Sequence, residues 1–259
     1  MALKQSLGIS GPLTMASVRT PGHRRPGFSL IDVLVSIAVV AVLLAVMMPS
    51  LNAVRETAHR VICRSNVRQV GFGIELYAQA HAEHLPYTIF AEEGDPDGGS
   101  QPEEMMALRL RSTASGPSHW DGLGHLFAGD YLPAPLIFYC PSHHGDNSFD
   151  DYAPLWSSTD GQILGNYHYR GIGSNGSSRL DRIQMESPRS ALVADGMRTL
   201  RDFNHLVGTN VLRADLSVDW FGDNGTLAAL LQSDGGGNHH DENLYEAWNR
   251  LDAGTGGGR

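Results

Sequence analysis

Asp32, Cys63, Cys140, His205 and Asp215 have types and spacings that could do chemistry. Asp32 lies near the start of "FSLIDVLVSIAVVAVLLAVMM", residues 28–48, where Ser29 and Ser36 are the only other polar side chains. A carboxylate in such a run is either a tolerated acid near a helix start, where the helix dipole favours it, or the partner of a nearby cation. His205 and Asp215 stand in "HLVGTNVLRADLSVDWF" with strand-like flanks. They could form a catalytic pair or a structural hydrogen bond across a hairpin. No Gly-x-Ser-x-Gly nucleophile motif accompanies them, which favours the structural role. Cys140, His143, His144 and the distant His239, His240 and Asp241 are zinc-ligand types, but no single spacing closes a four-ligand set. "GIGSNGSS" lacks the strand–helix context of a phosphate loop, and "SDGGGN" near Asp234 lacks the alternating acids of an EF-hand. The chain is therefore expected to hold no metal and no cofactor.

The elements that position these residues begin with the apolar run. At about 1.5 Å per residue it matches a bilayer core of roughly 30 Å. It is apolar all round, unlike a soluble amphipathic helix. A secretory signal peptide would be shorter and end in a small-x-small cleavage site; Met47-Met48-Pro49 is a poor one. Arg24-Arg25 precede the run, as in a twin-arginine signal, but only two residues separate them from Phe28. A membrane anchor fits best. Arg19, Arg24 and Arg25 flank it before, and Arg55, Arg60, Arg64 and Arg68 after, so the positive-inside count does not settle its orientation.

Beyond Pro49, Leu51, Val54, Ala58, Val61, Ile62, Val70, Ile74 and Tyr77 recur mostly every three or four residues, with charges between them. That pattern predicts an amphipathic helix continuing the anchor to about residue 84, bent at Pro49 and ended before Pro86. Gly71 and Gly73 weaken its later turns by about 1 kcal/mol each. "AEEGDPDGGSQPEE", residues 91–104, reads as an exposed loop. A short helix is expected at Leu123–Ala128. Strands are expected at Leu136–Tyr139, Tyr167–Arg170, Ala191–Ala194, Val211–Ala214 and Ser217–Trp220, with Asp195-Gly196 a turn. The fold class is α+β: a long N-terminal helix on a small antiparallel-sheet, loop-rich body.

Net charge is −9, and residues 1–27 hold Lys4, Arg19, Arg24 and Arg25 and none of the 28 acids. An acidic body excludes nucleic acid as the main partner, because phosphate binding needs a basic face. Two cysteines fit neither a disulfide-rich miniprotein nor a four-cysteine zinc site.

"GFSLIDVLVSIAVVAVLLAVMMPSL" resembles the N-terminus of type IV pilins and type II secretion pseudopilins: a basic leader ending in glycine, a phenylalanine, an acid at Asp32 and a continuous apolar helix. "CRSNVRQVGFGIELYAQAH", "FYCPSHH", "NYHYRGIGSNG" and the His-x9-Asp of His205 and Asp215 are similar to segments of a planctomycete prepilin-like family of unknown function, number 1559. Leu216 replaces the glycine expected after Asp215, and Asp32 the glutamate usual at its position.

The resemblance implies a leader at 1–27, a transmembrane helix at 28–49, an amphipathic stem at 50–86, an exported pilin-like domain at 87–252 and a disordered tail at 253–259. It implies cleavage between Gly27 and Phe28 by a membrane prepilin peptidase, N-methylation of Phe28, and Asp32 as the acid that neutralises the new amine during assembly. A disulfide between Cys63 and Cys140 is implied if the body reaches an oxidising compartment. The expected function is that of a non-enzymatic pilus or pseudopilus subunit in the cytoplasmic membrane. Its expected partners are the peptidase, other pilin or pseudopilin subunits and membrane lipid. The alternative is a membrane-anchored periplasmic binding or metal-dependent enzymatic domain that uses the signal only for anchoring.

Overall fold

A computed structural model describes residues 27, 29–89, 104–112, 117–197, 199–205, 207–232 and 240–254. The chain divides into two units, Met1–Pro49 and Ser50–Arg259. Stem and body thus belong to one unit.

In the first unit, helix α1 (Leu30–Ala80) follows directly on Ser29, which stands at its N-cap position. A helix start leaves backbone N–H groups without partners. Here the Ile31 N–H donates to Ser29 Oγ at 3.3 Å, and the Ser29 N–H donates to Asp32 Oδ2 at 3.2 Å. This is the reciprocal pattern of a capping box. From Leu30 to Met48 the large apolar side chains are all exposed. Among the described residues α1 is the one helix long and apolar enough to cross a membrane, and none of its most apolar stretch is buried.

The second unit opens with the rest of α1, which continues through Pro49. Cys63, Val67, Val70, Ile74 and Ala78 recur every three or four residues and are fully buried, one stripe along the helix. Burial of each large member contributes about 1.5–3 kcal/mol. Gly71 and Gly73 allow close approach: a Cβ on Gly71 would stand 2.7 Å from Leu212 Cδ1, and one on Gly73 2.8 Å from Leu132 Cδ1. The helix stops at Ala80, short of the expected residue 84. Ala82 and Glu83 take left-handed φ of 54° and 67°, and the Glu83 N–H donates to the Ala78 carbonyl at 2.8 Å, a Schellman-type closure made without glycine.

The body then runs β1 (Ala107–Leu110), β2 (His119–Trp120), α2 (Gly124–Ala128), α3 (Phe149–Tyr152), β3 (Ile163–Leu164), β4 (Tyr167–Tyr169), α4 (Leu180–Glu186), β5 (Ala191–Asp195), β6 (Gly208–Arg213), β7 (Val218–Gly222), α5 (Thr226–Gln232) and α6 (His240–Ala253). Strands β4-β5-β6-β7 form an antiparallel meander, and β2-β1-β3 a second small antiparallel sheet. The meander is apolar on both faces. Leu192, Val193 and Leu212 join the core of the α1 stripe. Ala191, Ala194 and Val211 join a second core with Leu227, Leu244, Trp248 and Leu251. The switch within β5 follows a register shift between Ala191 and Val193.

The expected strands at 167, 191, 211 and 217 and the helix at 123 stand where their patterns place them, within a few residues. Leu136–Tyr139 does not: Pro135–Phe138 is a 3-10 helix, because Pro135 has its φ pre-set for a helical first turn and no N–H to give a ladder. Ala253, read as the start of the tail, closes α6. Residues 1–26, Phe28, the 91–103 part of the acidic loop, Asp234, the side chains of His240 and Asp241, His239 and residues 255–259 lie outside the described residues.

Candidate functional site

Glu56 and Cys63 are seven residues apart on α1 and so share a face. That face meets three other segments. Cys140 follows the 3-10 turn at 135–138, and its N–H donates to Asn166 Oδ1 at 3.1 Å. Asn66 Nδ2, one turn past Cys63, donates to the Tyr139 carbonyl at 3.1 Å and ties the helix to this segment. Asp195 ends β5, its N–H donating to Thr209 Oγ1 of β6 at 3.0 Å. His205 comes from the β5–β6 connection.

Cys63, Cys140, Asp195 and His205 therefore converge, all buried, with one donor atom from each within 4.8 Å of the others. Cys63 Sγ lies 3.4 Å from Asp195 Oδ1. Cys140 Sγ lies 3.5 Å from His205 Nε2. His205 Nε2 lies 3.9 Å from Asp195 Oδ2, an oxygen that has no hydrogen-bond partner. Both cysteines are free thiols.

A second layer holds the first. His205 Nδ1 meets Glu56 Oε1 at 2.7 Å. Glu56 accepts from Ser142 Oγ at 2.7 Å and from Arg60 Nε at 3.3 Å. Tyr167 Oη donates to Cys63 Sγ at 3.5 Å. The Trp220 ring lies edge-on to His205, with the Arg60 guanidinium 4.7 Å above it. The Cys-Pro-Ser segment thus supplies a sulfur at Cys140 and, at Ser142, a hydroxyl for Glu56.

The electrostatics are those of a cation held among anions. Burial works against the His205 imidazolium, yet its bond to Cys140 and the Asp195 charge outweigh burial and raise its pKa to about 9. Burial also opposes the Cys140 thiolate, but bonds from Cys63 and His205 hold that thiol below its ordinary value. The bond to Cys140, with burial, pushes the Cys63 thiol up. Burial lifts the Asp195 carboxyl, with His205 and its hydrogen bonds offsetting part of the rise.

Of the residues singled out in sequence, Cys63, Cys140 and His205 meet here, and Asp215 does not. His205 precedes β6 and Asp215 follows it, at opposite ends of a six-residue strand. Asp215 Oδ1 instead accepts the Ser217 N–H at 2.9 Å and shapes the β6–β7 turn. Leu216 occupies that turn with φ 65°, so the hairpin forms without the glycine. His143 Nδ1 bonds Asn204 Oδ1 at 2.7 Å, and His144 is exposed; neither belongs to the cluster. Gly27 is exposed, and Asp32 caps α1.

Asp195 and Glu56 were missed. Asp195 reads as a turn residue because glycine follows it, and Glu56 reads as part of a charged helix face. The seven-residue interval from Glu56 to Cys63 was the signal available. No protein-family model, curated protein or solved structure matches this chain.

Proposed function

We propose that the chain is a membrane-anchored, prepilin-like subunit, cut between Gly27 and Phe28 and assembled by its N-terminal helix into a pilus-like or pseudopilus filament. One observation carries this reading. Within the residues of α1, the first part exposes apolar side chains on every face, while the part beyond Ser50 buries a single stripe in a β-sheet body. A soluble helix has no use for the first pattern, and a simple anchor has no need of the second. The motif at Gly27, Phe28 and Asp32 supplies the processing and assembly roles by resemblance. Asp32 already accepts the Ser29 N–H; the methylated amine of Phe28 would be a further, charged partner.

The test is co-expression of the full chain with a prepilin peptidase. The chain should lose residues 1–27 only when the peptidase is active, and a Gly27→Val variant should keep them. Cleavage that ignores both conditions would defeat the reading. The rival enzymatic reading draws on the buried Cys-Cys-Asp-His cluster. Four donors fill a tetrahedral ion and leave no position for substrate, so the cluster favours a structural role.

A further inference from the structure

We infer that Cys63, Cys140, Asp195 and His205 bind one zinc ion as a closed structural site that fastens α1 to the body.

The spacing is close to what the ion needs. Zinc bonds of about 2.0–2.3 Å at tetrahedral angles hold ligand atoms about 3.4–3.8 Å apart. Cys63 Sγ stands 3.4 Å from Asp195 Oδ1 and Cys140 Sγ 3.5 Å from His205 Nε2, while the other Asp195 oxygen, Oδ2, stands 3.9 Å from His205 Nε2; one donor atom from each residue lies within 4.8 Å of the rest, so binding would draw the set together. Two thiolates with an imidazole and a carboxylate suit zinc, a borderline-soft ion, and not magnesium or calcium, which take oxygen.

The surroundings are those of a metal-ligating histidine. Such a residue gives its other ring nitrogen to a carboxylate, which fixes the tautomer and raises ligand basicity. Glu56 Oε1 stands 2.7 Å from His205 Nδ1, leaving Nε2 for the ion. Ser142 and Arg60 fix Glu56 in turn. On binding, zinc replaces the thiol protons of Cys63 and Cys140, and His205 becomes neutral with its proton on Nδ1.

Two other uses of the same atoms fit less well. A Cys63–Cys140 disulfide would consume both sulfurs and leave Asp195 Oδ2, fully buried and without a hydrogen bond, facing His205 Nε2 only across 3.9 Å, a costly arrangement. A Cys140 nucleophile activated by His205 would need access, whereas Cys140 is 4 % exposed with Cys63 and Asp195 packed around it. The zinc reading satisfies all four groups at once. It also spans the sequence, joining the stem at 63 to strand and loop residues at 140, 195 and 205.

The experiment uses the full chain purified in detergent without chelator. Metal analysis should find one zinc per chain. Replacement by Co²⁺ should give the visible bands of tetrahedral cobalt with thiolate charge transfer, and both cysteines should resist alkylation until the ion is stripped. Cys140→Ser and His205→Ala should lose the cobalt spectrum. Should those variants fail to fold, the wild-type chain decides alone, by stripping with chelator and rebinding Co²⁺. An intact mass lacking two hydrogens, with no metal, would overturn the site in favour of the disulfide. Fast alkylation of Cys140 in the zinc-loaded chain, or stripped protein that takes up no Co²⁺, would overturn it as well. None of these results depends on whether the leader is cleaved.

Discussion

The two parts of α1 carry similar apolar residues and opposite surroundings. Leu30–Met48 exposes Val, Ile, Leu and Met on all sides. Beyond Ser50, Cys63, Val67, Val70, Ile74 and Ala78 are sealed against the sheet while Val61, Phe72 and Leu76 stay outside. Each part also begins with an acid. Asp32 answers one backbone N–H; Glu56 is gripped by Ser142, Arg60 and His205. The same helical period thus builds two kinds of surface. Apolar residues all round ask for lipid, and an apolar stripe asks for a partner surface within the protein.

The largest effect should come from Val70→Asp. Burying an unpaired carboxylate costs about 4 kcal/mol or more, so the body should lose cooperative unfolding and protease resistance, while carbonate extraction still finds the chain in the membrane. The same change at Val40 should do the reverse. An acid near the centre of a spanning helix costs about 2.5–3.5 kcal/mol on insertion scales, so membrane retention should fall while the urea midpoint of the body holds. A Val40→Asp chain with a loosened body would break the division between the two parts.

Leu216→Gly should stabilise the body by about 1 kcal/mol, relief of the left-handed strain set against the greater freedom of unfolded glycine. Its urea midpoint should rise with no change in membrane retention. Ser29→Ala should be the smallest in reach: about 1 kcal/mol of capping, read as faster amide exchange confined to the first turn of α1.

Much of this architecture was readable from residue patterns. The membrane-length apolar helix is a composition signal, needing no tertiary information. Strands β4 to β7 carry apolar runs between turn residues, and both faces of the meander are covered, so the runs show through. The short β1–β3 pairs and α4–α6 were missed, because a two-residue strand has no period and α6 draws its packing from Trp248 and Leu251 against a sheet far away in sequence. The cluster was half visible. Cys63, Cys140 and His205 stood out by residue type, but Asp195 joins them only because β5 ends beside the β5–β6 connection. That is a fact of pairing register and not of local spacing. His205 and Asp215 looked like partners because nine residues separate them, yet that interval measures a strand from end to end.

The most direct measurement is the intact mass and N-terminal sequence of the chain taken from its native membrane. A chain that begins at methylated Phe28 is the predicted result. A chain still beginning at Met1, or one cut near Leu51, would contradict it and leave Asp32 as a helix cap and nothing more.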